Sequence, residues 1–210
     1  MSAIARRRVR RFRSPDSQAA LSSRSKPSRT SRQAGPEVVV RQAELRDASA
    51  ITHVRGRTWQ VAYAHIFPKD ALDAVAAAPE AKWLRDVISD PPPRTHTLVA
   101  DAVGLVVGFA QLGPMRVESS DPRLGELFAI YVLPDAQGRG VGRALMVEVV
   151  SRLAADGFEE AVLWVLEDNP RTRGFYELAG WHADGGSKDE EWLGTLVREV
   201  RYRRSLEPNT

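Results

Sequence analysis

The sequence predicts a mixed α/β (α+β) domain in which a mixed central sheet is flanked by helices. Short runs rich in β-branched residues alternate with segments whose apolar residues recur at helical spacing. In the second half of the chain these elements follow the order strand, helix, strand, helix, strand, which is typical of such a sheet. The 210 residues, 43% of them hydrophobic, suffice for one substantial core. We therefore expect a tail over residues 1–36 and one domain over residues 37–206.

The predicted tail is strongly basic. Its first 35 residues hold nine Arg, one Lys and one Asp, a formal charge of +9 in a chain whose total is +3. Such a run, rich in Ser and Pro and poor in apolar residues, is typical of a disordered segment. An arm for nucleic acid is the alternative interpretation. The remaining residues carry −6, which argues against the domain itself as a nucleic-acid-binding surface.

The first part of the domain is predicted to be one strand followed by helices. Val38–Val40 is a short β-branched run, and Asp47 fits the N-cap of a helix whose apolar face continues to about Phe67. The stretch 68–89 predicts one or two further short helices. Asp90 and three consecutive prolines end this helical region.

The middle of the chain changes to strands. Thr97–Ala100 and Leu105–Leu112 are β-rich runs joined by a turn at Asp101–Gly104, which indicates a hairpin. After a polar loop, Glu126–Leu133 predicts another strand, closed by Pro134.

Helices and strands alternate in the last part of the chain. Gly157 suits the C-terminal stop of an amphipathic helix, Ala161–Leu166 predicts a strand, and Asn169–Pro170 is typical of a helix start. That helix should stop at Gly180, and Leu196–Tyr202 supplies a last strand. The apolar face of the amphipathic helix comprises Leu145, Met146, Val149, Val150 and Leu153.

A glycine-rich loop, Gln137–Gly142, lies between the strand ending near residue 133 and the amphipathic helix. Glycines permit sharp turns and close approach of a ligand, and a helix start presents unpaired N–H groups with partial positive charge. Arg139 and Arg143 can add charge, so the loop is suited to a diphosphate. A Walker loop would end in Gly-Lys-Ser/Thr, and a dinucleotide fingerprint would need Gly where Arg143 stands; neither matches.

The pattern Gln137-x-x-Gly140-x-Gly142 resembles the acyl-CoA signature of the GNAT acetyltransferase superfamily. Glu126–Val132 resembles the fourth strand of that family, and Asn169–Trp181 resembles its second hallmark, an Asn followed by Phe-Tyr and then Gly with an aromatic residue. The resemblance implies the GNAT acyl-CoA N-acyltransferase fold and acetyl-CoA as co-substrate. No metal is expected, because the four histidines show no ligand spacing.

The resemblance also implies roles for single residues. Backbone groups of Tyr131 and Val132 would pair with the pantetheine arm, Asn169 would contact pantetheine, and Tyr176 would lie near the thioester sulfur. The backbone amides expected to hold the pyrophosphate belong to Gln137, Gly138, Arg139, Gly140, Val141, Gly142, Arg143 and Ala144.

Acetyl transfer here should be direct attack of an amine in a ternary complex, because the chain has no cysteine nucleophile. Tyr176 is the expected general acid for the departing thiolate; a core-packing role is its alternative. Glu126 is the expected base, since it starts the strand that leads to the glycine loop; an ordinary surface carboxylate is its alternative.

The acceptor is expected to be a primary amine of a small molecule or a peptide. Trp59 and Tyr63, four residues apart, lie on one helix face and either wall the acceptor pocket or pack in the core. The alternative functions are a non-catalytic acyl-CoA-binding module and a nucleic-acid-associated protein acting through the tail. No membrane span is expected, the predicted location is cytoplasmic, and a homodimer is common among proteins of this type.

Overall fold

A computed structural model of the chain describes residues 38–116 and 121–206. The basic tail predicted for residues 1–36, and part of the polar loop before β4, lie outside the described residues. The strands of the described part are β1 (Val38–Gln42), β2 (His96–Ala102), β3 (Leu105–Pro114), β4 (Leu124–Val132), β5 (Glu160–Leu166), β6 (His182–Trp192) and β7 (Thr195–Ser205). Its α-helices are α1 (Ala48–Ala62), α2 (Lys69–Ala77), α3 (Lys82–Ser89), α4 (Val141–Ala155) and α5 (Pro170–Leu178).

All seven strands belong to one sheet with the order β1-β2-β3-β4-β5-β7-β6. Only β4 and β5 run parallel, because α4 carries the chain across one face of the sheet between them. The two strands pair only over Leu124–Leu127 and Glu160–Leu163. Beyond these residues they separate, and the interval between the unpaired ends is called the strand gap below.

A bulge in β4 lies where the strand gap begins. On β3, Leu112 pairs with Leu127 and the adjacent Gln111 pairs with Ala129, so Phe128 is an extra residue in β4. A bulge bends its strand and increases the local twist. It therefore helps to turn the end of β4 away from β5.

Helices cover both faces of the sheet, as the sequence predicts for a mixed α/β domain. One face packs against α4 and α5, with Leu145, Val149 and Tyr202 fully buried. The other face packs against α1 and α3 through Ile51, Val54, Leu84, Val99 and Phe109. No helix among the described residues is long and apolar enough to cross a membrane.

Two sequence predictions need correction. β6 was not predicted, because its eleven residues are mostly charged or small and show no apolar alternation. It is held to β7 by ladder pairing and ion pairs, including Lys188 to Glu199 at 2.9 Å. Asp47 does precede α1, but its carboxylate does not cap that helix. It instead accepts hydrogen bonds from Arg41 at 2.7 Å and from the Glu44 amide at 2.8 Å.

Candidate active site

Two residues of the glycine loop adopt backbone conformations that favour glycine. Gly138 has φ of 73° and Gly140 has φ of 87°, both in the left-handed region. A Cβ built at either position would meet no atom within 4 Å. Glycine is therefore required at both positions by the backbone itself, and the loop surface stays open to a ligand.

The loop presents a row of unpaired amides. Six consecutive N–H groups, from Gly138 to Arg143, make no hydrogen bond to the described residues. The first and last of the eight predicted amides are already hydrogen-bonded within the protein. The Gln137 amide donates to the Pro134 carbonyl at 3.3 Å, and the Ala144 amide donates to the Gly140 carbonyl at 2.9 Å. Successive free amides beside a helix start make a concave anion site. Arg139 and Arg143 are exposed and unpaired within the described chain, so they can add charge for a diphosphate.

The backbone of β4 faces the strand gap at alternate residues. The Leu133 amide donates to the Val107 carbonyl on β3 at 2.9 Å. Because backbone groups alternate between the two sides of a strand, Tyr131 also faces β3, whereas Ile130 and Val132 face the strand gap. This register favours Ile130 and Val132, rather than the predicted Tyr131 and Val132, as the pair that could meet an added extended ligand.

The carbonyl group at the end of β4 that faces the strand gap is already hydrogen-bonded to side chains. The Val132 carbonyl accepts hydrogen bonds from Gln137 Nε2 at 3.0 Å and from Thr58 Oγ1 at 3.2 Å. Gln137 thus ties the glycine loop to the end of β4, and Thr58 ties α1 to the same point. These two hydrogen bonds hold the glycine loop and α1 at the end of β4, and they leave the N–H groups of Ile130 and Val132 for a ligand.

Tyr176 lies on α5 with only 6% of its surface exposed. Its ring centroid lies 6.5 Å from that of Trp181 and 6.3 Å from that of Tyr202. Burial, followed by the effect of Tyr131, raises the pKa of the Tyr176 phenol well above its usual value of 10. The hydroxyl therefore stays protonated at neutral pH and can act as a donor. The ring contacts and burial agree with the core-packing interpretation, and a position of the hydroxyl beside a bound thioester stays a prediction.

Asn169 caps α5, as the sequence predicts. Its Oδ1 accepts a hydrogen bond from the Thr172 amide at 3.2 Å, and the residue is 7% exposed. Its Nδ2 makes no hydrogen bond to the described residues. The cap therefore uses the acceptor of the side chain and leaves its donor for a ligand. The contact with pantetheine itself stays a prediction.

Glu126 is buried, not the surface carboxylate that was the alternative. It is 2% exposed, and both of its oxygens accept hydrogen bonds from Arg116: Oε2 from the backbone amide at 2.9 Å and Oε1 from Nη2 at 2.8 Å. The Arg116 guanidinium also lies 4.3 Å from the ring centroid of Phe128. A carboxylate held in this way can act as a base only after it gives up one of these bonds. The catalytic role of Glu126 stays a prediction.

Trp59 and Tyr63 lie in an aromatic cluster. Their ring centroids are 5.2 Å apart in an edge-to-face arrangement, and Trp59 stacks on Trp192 of β6 at 5.8 Å. Phe67 completes the cluster at 6.3 Å from Trp59. These contacts favour packing, and neither residue lines the pocket beside α1 described below. Contact between either residue and an acceptor stays a prediction.

Glu199 of β7 is a buried carboxylate that no sequence motif indicates. It is 4% exposed and pairs with Lys188 Nζ at 2.9 Å. Burial raises its pKa, although Lys188 partly opposes the shift. Burial raises the pKa of Tyr63 and of Tyr131, and the charge of Glu199 adds a smaller contribution in the same direction. Within residues 38–116 and 121–206, no group of three His, Asp or Glu side chains is arranged as a metal site.

Comparison with known proteins agrees with this geometry. The sequence model of the acetyltransferase (GNAT) family matches residues 56–181, more than half of the chain. The chain is 36% identical over 134 residues to the uncharacterized N-acetyltransferase YuaI of Bacillus subtilis. The aligned region covers 63% of this chain and 74% of YuaI. The chain therefore belongs to the GNAT family of acetyltransferases, and the fold and family that its motifs predict are confirmed.

Solved structures share the fold. The PaiA N-acetyltransferase from Thermoplasma acidophilum, in complex with coenzyme A, superposes with a TM-score of 0.64 at 18% identity, over 80% of this chain and 99% of that chain. YncA from Salmonella typhimurium, with its cofactor acetyl-CoA, also gives 0.64 at 19% identity, over 81% and 94% of the two chains.

Proposed function

We propose that this protein transfers the acetyl group of acetyl-CoA to a primary amine of a small molecule or peptide, by direct attack in a ternary complex. The observation that carries the proposal is the row of six unpaired amides from Gly138 to Arg143, which adjoins the strand gap near Tyr176. The two structural neighbours described with coenzyme A or acetyl-CoA support this ligand.

The described residues fit the pyrophosphate and the extended arm of coenzyme A. The six amides, with Arg139 and Arg143, suit a pyrophosphate, since free N–H groups at a helix start favour anions. The strand-gap edge at Ile130 and Val132 suits an extended amide-bearing arm, which can add to β4 as a strand does. Nδ2 of Asn169 offers a further donor on the opposite side of the gap.

Bound acetyl-CoA supplies an electrophilic thioester. Tyr176 donates its phenolic proton to the sulfur as the C–S bond breaks, and burial keeps that proton in place until then. The attacking amine loses a proton as its new N–C bond forms. Glu126 accepts that proton, directly or through water, once solvent takes the place of the Arg116 side chain at Oε1.

The test is an amine panel with detection of released thiol, combined with calorimetric titration of coenzyme A. The Tyr176→Phe variant should lower kcat by about 100-fold or more, the usual contribution of a general acid, and leave the Kd of coenzyme A nearly unchanged. Tyr202→Phe is the matched control, because its buried hydroxyl bonds Glu177 at 2.7 Å, away from the proposed chemistry.

Three outcomes would contradict the proposal. A Tyr176→Phe variant with the kcat of the unmodified protein would remove the proposed acid. Absence of coenzyme A binding at tens of micromolar would remove the cofactor assignment. Binding without turnover across the panel would favour a non-catalytic acyl-CoA-binding module instead.

A further inference from the structure

A pocket of about 150 Å³ opens on the α1 face of the sheet, between α1, α3 and the strands β3 and β4. It shares Tyr131 with the surroundings of the strand gap, and Arg116 joins it to Glu126. Its walls carry three aromatic side chains besides Tyr131, namely Trp83, Phe109 and Phe128. Polar groups are contributed by Thr52, Arg55 and Gln111. The pocket thus offers a mainly aromatic surface with a few polar groups, as small-molecule sites do.

Arg55 is the unexplained residue of this pocket. It is partly buried, it makes no ion pair or hydrogen bond with the described residues, and its Nε is buried without a partner. Two other partly buried arginines are ion-paired: Arg41 binds Asp47 and Asp101, and Arg201 binds Asp184. A guanidinium and its N–H donors lose water on burial, so a buried N–H without a partner costs free energy unless a bound ligand accepts its hydrogen bond.

The other cation of the pocket is already engaged. Arg116 donates to both oxygens of Glu126 and lies over the ring of Phe128. Arg55 is therefore the group left to receive an anion. The guanidinium presents its donors as a rigid planar fork, which matches the two oxygens of a carboxylate.

We infer that the acceptor amine carries an oxyanion, namely a carboxylate, and that Arg55 binds this group inside the aromatic pocket. The acceptor is then an amino carboxylate with an apolar portion against Trp83 and Phe128, and its amine extends past Tyr131 towards the strand gap. This inference rests on the proposed acetyl transfer and names its substrate class. A phosphonate is also an oxyanion, with a higher negative charge near neutral pH, and could occupy the fork, so it is tested separately.

The experiment compares matched acceptors with the full-length protein and acetyl-CoA. The probes are leucine, leucinamide, 3-methylbutylamine and the phosphonate analogue of leucine, within a wider panel of amino acids and their amides. Arg55→Gln is compared with Arg57→Gln, an exposed arginine two residues along α1 that bonds Gln60 at 2.7 Å. Ratios between the protein and its variants cancel the intrinsic reactivity of each amine.

We expect kcat/KM for the amino carboxylates to fall by about 10- to 100-fold in Arg55→Gln, mainly through KM, as loss of a hydrogen-bonded charge pair predicts. Amides and simple amines should change little, and Arg57→Gln should change neither. Arg55→Lys should recover only part of the loss, because it keeps the charge without the fork. Thermal melting shows whether each variant is folded. If a variant is unfolded, the preference of the unmodified protein for amino carboxylates over the matching amides still tests the inference.

The inference would be overturned by equal use of carboxylates and amides, by equal losses for both classes in Arg55→Gln, or by preference for the phosphonate. Acetylation of neutral amines alone would also overturn it while leaving the proposed acetyl transfer intact. Acetyl-CoA binding with no acetylated amine in the panel would count against both the inference and turnover. Absence of acetyl-CoA binding would remove the proposed function itself.

Discussion

Replacement of Gly140 by alanine tests the glycine loop most directly. Gly140 has φ of 87° and immediately precedes α4, where its amide and those after it are unpaired. A Cβ at this position meets no atom within 4 Å, so the added methyl group causes no clash. The cost of the substitution is therefore conformational, about 1–2 kcal/mol for an L-residue in the left-handed region.

Two magnitudes follow from this cost. For a domain of this size, about 1–2 kcal/mol should lower Tm by about 2–8 °C. If the loop relaxes to relieve the strain, at least one amide loses its alignment with a bound phosphate. A hydrogen bond to a charged group contributes about 1.5–3 kcal/mol, so the Kd of coenzyme A should rise by about 10- to 150-fold.

Gly157→Ala is the matched control. Gly157 follows the opposite end of α4, has φ of 81°, and its Cβ position is equally free of neighbours. Both variants should lose similar stability by thermal melting, but only Gly140→Ala should weaken coenzyme A binding by calorimetry. Equal affinities for the two variants would refute the assignment of the loop as the phosphate site.

The remaining predictions concern the tyrosines and the α5 cap. Burial raises the pKa of Tyr63, Tyr131 and Tyr176, so the folded state favours the neutral phenols; their contribution is complete below about pH 10 and is lost as the pH rises through the raised values. Urea unfolding between about pH 8 and 11 should show falling stability, with a shallower fall in Tyr176→Phe, and an unchanged slope in that variant would contradict the reasoning. Asn169→Ala should lose about 1 kcal/mol of stability, whereas Asn169→Asp keeps the acceptor for the Thr172 amide and should not. Both changes remove Nδ2 and should weaken coenzyme A binding in calorimetry; an Asp variant with unchanged affinity would show that Asn169 serves only as a cap.

The local elements around the phosphate site could be predicted from sequence because their rules are short-range. Gly138 and Gly140 are needed for backbone conformations that other residues avoid, and Asn169 followed by Pro170 fits a helix start within a few residues. Each of these signals depends on neighbours along the chain, so no tertiary information is needed to interpret it.

β6 was missed for the opposite reason. Its residues face β7 and the sheet surface through ion pairs such as Asp184 to Arg201 at 2.8 Å, not through an alternating apolar face. Charges of this kind stabilise a strand only when the partner strand is present. The stacking of Trp192 on Trp59, which draws Trp59 into a packed cluster, depends on the same strand.

The sequence likewise predicted which residues take part in the chemistry of the site but not how their side chains and backbone groups are paired. The sequence predicted roles in acetyl transfer for Glu126 and Tyr176, but Arg116 occupies both oxygens of Glu126 only because the end of β3 lies beside the start of β4. The bulge at Phe128 sets which backbone groups face the strand gap, and this register favours Ile130 over the predicted Tyr131 as a partner for an added ligand. A shift of one residue reverses the direction of every backbone group beyond it.

The sequence by itself determined the family, the order of the elements apart from β6, and the glycine loop that we assign to coenzyme A, because these follow from local backbone preferences and motif spacing. The tertiary structure alone decided which side chains are paired and which are not. Arg55 and Arg57 look alike along the chain, yet Arg55 lines an aromatic pocket, partly buried and with its Nε unpartnered, whereas Arg57 is exposed beside Gln60. Burial and charge pairing arise from residues far apart in sequence, so the substrate class that we infer from Arg55 could emerge only from the folded chain.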